Sequence, residues 1–105
     1  MSLIDLGRFE EANALLRKTV PVTRRVLGAS HATTIRMVRS YARTLYLDDG
    51  ATLDNLREAV TTLEETERIA RRVLGGAHPL TQPTERTLGE ARAALAARET
   101  PSTSA

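Results

Sequence analysis

RRVLGASH, at residues Arg24–His31, recurs forty-seven positions later as RRVLGGAH, at residues Arg71–His78. Each copy closes a run of apolar residues at helical spacing, carries two arginines, and then reaches a glycine. Glycine readily adopts the left-handed conformation that ends helices. The two copies therefore predict two helix ends in successive copies of one structural unit.

The composition favours an all-α protein. The chain has 105 residues, of which 41% are hydrophobic but only 3% aromatic, so the apolar material is mainly Leu, Val and Ala. This length suits one domain near the lower limit for a self-sufficient core. The absence of cysteine excludes disulfides and thiolate metal sites and fits a reducing compartment. With no long apolar run and no signal pattern, we expect a cytoplasmic protein that does not bind membranes.

Apolar residues at three- and four-residue steps predict four helices, near residues 8–27, 32–47, 54–74 and 79–97. Pro21 is expected to kink the first helix rather than end it. The expected inward positions are Ala12, Leu15, Leu16, Thr19, Val22, Thr23 and Val26; Ile35, Val38, Tyr41, Ala42 and Leu45; Leu56, Ala59, Val60, Leu63, Thr66, Ile69, Ala70 and Val73; and Leu80, Thr84, Leu88, Ala91 and Leu95. We expect a helical domain over residues 1–98 and a disordered tail over 99–105.

The chain resembles the tetratricopeptide repeat of the kinesin light chain type, through LGRFEEANALLRKTV, RRVLGASH, LREAV and RRVLGGAHP. The resemblance implies antiparallel helix pairs stacked as a right-handed superhelix, an α-solenoid of about two and a half repeats. It identifies Leu6 and Gly7 as the end of a first helix that is otherwise missing. It also implies inserted residues, mostly in the loop Ala51–Asn55, and a scaffold that binds a protein or peptide partner in a concave groove, with no cofactor. This loop has no place in the shared packing pattern, so we expect it to lie outside the core, and Asp54 or Asn55 is expected to cap the next helix.

Three arginines form a positive row on the second predicted helix. Arg36, Arg39 and Arg43 lie at three- and four-residue steps, and no acidic residue occurs between His31 and Leu47. The simplest interpretation is a solvated face. The functional interpretation is a peptide-binding surface for carboxylates, which arginine pairs bidentately.

The resemblance places this row on a groove-lining helix, where Arg86 is the counterpart of Arg39 in the next repeat. Tyr46 is expected to add an aromatic platform. In kinesin light chains two adjacent asparagines hold the peptide backbone, and the matching positions here are Arg39 with Ser40 and Arg86 with Thr87. The predicted peptide-binding residues are Arg36, Arg39, Arg43, Tyr46 and Arg86, and the predicted ligand is acidic.

Other classes of function fit the residues less well. His31 and His78 are the only histidines and lie one repeat apart, so we expect local hydrogen bonds at helix starts rather than a metal or catalytic site. A formal charge of +2 with three aromatic residues argues against nucleic acid. No nucleophile with a base, and no phosphate-binding loop, is present, so no enzyme is expected.

The rival interpretation is a structural segment that stacks and caps a longer array and has no ligand of its own. Arrays generally need about three repeats to be stable. We therefore expect either a piece of a longer array or a homodimer. In both cases, part of the face that carries Leu15, Leu16 and Val20 is expected to be exposed or covered by a second chain.

Overall fold

The computed structural model describes residues 3–48 and 50–99, and side chains from Glu10 onward. Four helices make up this part of the chain, which contains no strand: α1 (Leu3–Leu27), α2 (Ala32–Tyr46), α3 (Leu53–Val73) and α4 (Thr81–Glu99). Helix α2 lies at the centre and packs against the other three, while α4 packs mainly on α3. The all-α class and the four predicted helices are confirmed. The right-handed sense of the superhelix stays a prediction.

The two repeated turns fold alike. Gly28 and Gly75 both have a left-handed backbone, with φ angles of 94° and 95°, which a residue with a side chain rarely adopts. After each glycine a histidine turns its ring back onto the chain: the Nδ1 of His31 accepts a hydrogen bond from the Thr33 N–H, and that of His78 from the Leu80 N–H, both at 3.1 Å. The local role predicted for the histidines is confirmed.

The core lies between α2, α3 and α4. Its largest fully buried aliphatic side chains are Ile35 and Val38 from α2 and Leu56 and Leu63 from α3. Every predicted inward position of α2 is buried. In α3 and α4 the prediction holds except at Ile69 and Leu95, which are half-buried, and at Val73.

The prediction for the first helix needs two corrections. Leu6 and Gly7 do not end a preceding helix, because α1 runs without a break from Leu3. A helix-ending glycine takes a positive φ, as Gly28 does, whereas Gly7 lies within helical backbone. The helix continues through Pro21, so the expectation that this proline does not end it is confirmed, and the kink stays a prediction.

The second correction concerns burial on α1. Leu15, Val22 and Val26 were expected to point inward, but their side chains are exposed, because no described element covers that side of the helix. The expectation that part of the face carrying Leu15, Leu16 and Val20 is exposed holds for Leu15, whereas Leu16 is half-buried and Val20 is buried. Val73, the counterpart of Val26, is also exposed and is the last residue of α3.

The loop before α3 was expected to lie outside the packing, and this is wrong. Ala51 is buried in the core, and its carbonyl accepts a hydrogen bond of 2.8 Å from Arg98. Thr52 caps α3, with its hydroxyl accepting from the Asn55 N–H and the Asn55 side chain accepting from the Thr52 N–H. The expected cap at Asp54 or Asn55 was therefore two or three residues too late. Of the predicted tail over 99–105, Glu99 is the last residue of α4, and the rest lies outside the described residues.

Candidate peptide-binding surface

The three arginines of α2, hereafter the arginine row, lie along its solvent side. Arg36 and Arg43 are exposed and Arg39 is half-buried. Since a helix rises about 1.5 Å per residue, the row extends roughly 10 Å. The other sides of α2 carry its buried residues, so the row is held in place by the packing of the core.

Tyr46 fixes α4 beside the row. Its hydroxyl donates a 2.6 Å hydrogen bond to the Glu90 carboxylate of α4. Burial raises the pKa of Tyr46 well above its ordinary value, the Glu90 carboxylate raises it further, and nearby Arg43 acts in the opposite direction. The side chain is only 8% exposed, so the aromatic platform expected here is absent. Tyr46 instead connects two helices and offers only an edge at the surface.

Arg86 is exposed on the outer side of α4. It belongs to the same helix as Glu90 and lies one turn before it, so a carboxylate accompanies the basic residues on this surface. The neighbouring Thr87 is buried, and its hydroxyl donates to the Pro83 carbonyl. Ser40, beside Arg39, is exposed. Of the two positions that match the asparagines of kinesin light chains, only one therefore offers both side chains to solvent.

The arginine row differs from the basic residues between α3 and α4. There, Arg71 pairs with Glu67 and Glu85, and Arg92 pairs with Glu64. Among the described residues, no carboxylate forms an ion pair with an arginine of the row or with Arg86. Glu67 and Arg71 are four residues apart on α3, whereas Glu64 pairs with Arg92 of α4. Arg36 and Arg39 are therefore available to an external anion, while Arg43 also lies close to the Tyr46 hydroxyl.

A groove on another side of α2 was missed by the sequence analysis. It lies between α1 and α3, has a volume of about 260 Å³, and is lined in part by Leu16, Arg17 and Tyr41. The Tyr41 hydroxyl donates a 2.6 Å hydrogen bond to Glu58. Burial raises the pKa of Tyr41, Glu58 adds to the effect, and Arg17 opposes it. Tyr41 was assigned to the core, and its spacing gave no signal that its hydroxyl edge would border a groove.

A smaller cleft of about 160 Å³ lies at the other end of α2, lined by Glu10, Asn13, Thr44, Leu45, Asp48 and Asn55. Within residues 3–48 and 50–99, no group of three or more acidic or histidine side chains is placed to hold a metal ion. None of the described helices has the length and apolarity needed to cross a bilayer.

Comparison with known proteins supports the repeat. Residues 1–33 match the family model of the tetratricopeptide repeat, a span that covers α1, the first glycine turn and the start of α2. No curated protein and no solved structure matches the chain. Repeats of this family typically mediate protein–protein interactions without catalysis. The match does not distinguish the kinesin light chain type from other tetratricopeptide repeats.

Proposed function

We propose that this chain is a non-catalytic, cytoplasmic protein-interaction module that binds an acidic peptide through the arginine row. Arg86 of α4 extends the binding surface, and Tyr46 holds α4 in position beside it. The observation that carries the proposal is the row itself: three arginines on one face of α2, without an ion-pair partner among the described residues.

The chemistry of the row suits carboxylates. A guanidinium presents paired N–H donors that match a carboxylate, and it keeps its charge at every physiological pH. A row of about 10 Å spans three residues of an extended peptide, or two turns of a helix. The ligand is therefore expected to carry two or three carboxylates at such spacing, with an apolar residue beside them. The concave shape of this surface is part of the proposal and follows from the resemblance to kinesin light chains.

Glu90 determines where along the row the carboxylates of the ligand are placed. It lies on the α4 side of the row and accepts the Tyr46 hydroxyl, so an approaching carboxylate is repelled there and favoured near Arg36 and Arg39. We expect the acidic residues of the peptide to concentrate on the side of the row away from Glu90.

The proposal is tested by calorimetry with two peptides. The first is acidic, and the second is a neutral control in which each Asp and Glu is replaced by its amide, Asn or Gln. The acidic peptide should bind more tightly, and its affinity should fall as salt rises, because screening weakens exposed charge pairs. Arg39→Ala should weaken binding at least about fivefold, roughly 1 kcal/mol. Arg68→Ala is the matched control, since Arg68 is an exposed arginine of α3 outside this surface. Equal binding of both peptides, or equal effects of both variants, would refute the proposal.

A second candidate is a structural segment that closes a repeat array. It is favoured by the face of α4 that corresponds to the buried face of α2, where Gln82, Glu85, Gly89 and Arg92 are all exposed. A polar outer face is typical of capping repeats. This role needs no ligand, so it predicts no difference between the acidic and the neutral peptide.

A further inference from the structure

A row of apolar side chains on α1 lies uncovered. Leu15, Val22 and Val26 are 65%, 51% and 72% exposed. Together with the half-buried Ala12 and Thr19 they follow alternating steps of three and four residues, the spacing of a helix that packs along another helix. We call these five residues the α1 stripe.

The next repeat shows which element packs on the residues equivalent to this stripe. Shifted by the repeat length, the stripe becomes Ala59, Thr62, Thr66, Ile69 and Val73 on α3. This edge of α3 faces α2, since Glu58 beside it bonds to Tyr41, whereas Glu64 and Arg71 on the other edge reach α4. Helix α2 therefore covers on α3 the edge that is open on α1.

The other edge of α1 is already occupied. The side-chain amide of Asn13 donates to the Thr44 hydroxyl at 2.8 Å, and the Thr23 hydroxyl contacts the sulfur of Met37. These contacts join α1 to α2 along the edge that α3 uses for α4. The α1 stripe thus lies on the side away from α2, and a helix could approach it without displacing any described contact.

The exposed face of α4, the last helix of the stack, differs in composition from the α1 stripe. The α2 residues Ile35, Val38, Ala42 and Leu45 are buried. Their counterparts on α4 are polar or lack a side chain, namely Gln82, Glu85, Gly89 and Arg92, and all four are exposed. One end of the stack is therefore suited to water, while the α1 end retains a helix-packing surface.

The charges beside the stripe indicate what kind of helix fits. Glu11, Lys18 and Arg25 are exposed and follow one flank at seven-residue steps. This flank therefore carries two positive charges and one negative charge. In two copies of α1 packed antiparallel about Lys18, Glu11 of each copy would pair with Arg25 of the other, but the two Lys18 side chains would face each other. A partner with carboxylates on this flank would pair with Lys18 and Arg25.

We propose that the α1 stripe docks an amphipathic α-helix of a partner protein, antiparallel to α1, as α2 docks on α3. The partner helix carries an apolar row and has carboxylates in its N-terminal half, opposite Lys18 and Arg25. Acidic residues in the first turns also suit the dipole of that helix. This site is separate from the arginine row and does not depend on it.

The probe for this site is a fluorescent peptide copied from residues 31–47, because α2 already fits the equivalent edge of α3. Thr33→Glu and Met37→Glu place two carboxylates near Lys18 in the acidic probe, and Thr33→Lys and Met37→Lys give the basic probe. Fluorescence anisotropy with the full chain should show tighter binding of the acidic probe. Lys18→Glu in the chain should reverse this preference, which separates charge pairing from any difference in the helicity of the two probes.

Val22→Glu in the chain should weaken binding of the acidic probe at least about tenfold, the equivalent of 1.4 kcal/mol. Val73→Glu is the matched control, since Val73 is an exposed valine of α3 and should leave binding unchanged. Failure of both probes to bind, equal binding of the two, or insensitivity to Val22→Glu would overturn the proposal. A dimer in sedimentation that Val22→Glu abolishes would also overturn it, because the stripe would then hold a second copy.

Discussion

The α1–α2 and α3–α4 contacts occupy equivalent places one repeat apart, yet they are built from different chemistry. Asn13 and Thr44 form a polar pair between α1 and α2, whereas their counterparts between α3 and α4 are the buried Val60 and Ala91. Ion pairs such as Arg92 with Glu64 border the second contact. The difference teaches that the repeat preserves the path of the backbone and the turns, while each contact is stabilised by its own residues.

The largest difference between the two halves is expected for one leucine and its counterpart. Leu63 is fully buried on α3, while Leu16 at the same place on α1 is only half-buried. Leu63→Ala should lower the free energy of unfolding by about 2–5 kcal/mol, because it leaves a cavity. Leu16→Ala should cost clearly less, since water already reaches that side chain. Urea unfolding followed by circular dichroism measures both, and equal losses would mean that the two halves are equally well packed.

A second, smaller difference concerns alkaline pH. The folded protein raises the pKa of Tyr46 above its ordinary value of 10.0, so the unfolded chain loses this proton first. The resulting stability is present below pH 10 and is lost as pH rises above it. Tyr46→Phe should therefore make stability less dependent on pH in the alkaline range, while Tyr41→Phe serves as the comparison on the α1 side. The free energy of unfolding measured at pH 8 and above tests this. If Tyr46→Phe left the slope of stability against pH unchanged, the prediction would be wrong.

The smallest effect distinguishes two buried threonines. The Thr81 hydroxyl donates to the Gly75 carbonyl at 2.7 Å, but the hydroxyl of its counterpart Thr34 has no hydrogen-bond partner among the described residues. Thr81→Val should cost about 1 kcal/mol. Thr34→Val should be neutral or stabilising, because it removes a buried hydroxyl that forms no hydrogen bond with the described residues. A loss of stability at Thr34 equal to that at Thr81 would show that both hydroxyls are satisfied in solution.

The sequence predicted those parts of the fold that depend on local chemistry. The glycine turns, the histidine contacts and the buried face of α2 follow from residue type and spacing. The exposure of Leu15 and Val22 could not be read from spacing, because the same apolar pattern appears whether or not a partner helix is present. Burial is decided by what packs against the stripe.

The candidate site was predictable only in part. The three-residue row was visible in the spacing of Arg36, Arg39 and Arg43. The hydrogen bond of Tyr46 to Glu90 joins residues forty-four positions apart, and no local pattern indicates it. The cap was expected at Asp54 or Asn55 because both residue types favour that position, but Thr52 and Asn55 bond reciprocally to each other's backbone N–H and place it at Thr52.

The most direct test of the central claim is to map where an acidic peptide binds. Isotope-labelled protein titrated with the acidic peptide should show amide chemical-shift changes concentrated at residues 36–46 of α2 and around Arg86 and Glu90 of α4. Residues of α1 such as Leu15 and Val22 should move little, since they belong to a different surface. Changes spread evenly over all four helices, or confined to α1, would contradict the assignment of peptide binding to the arginine row.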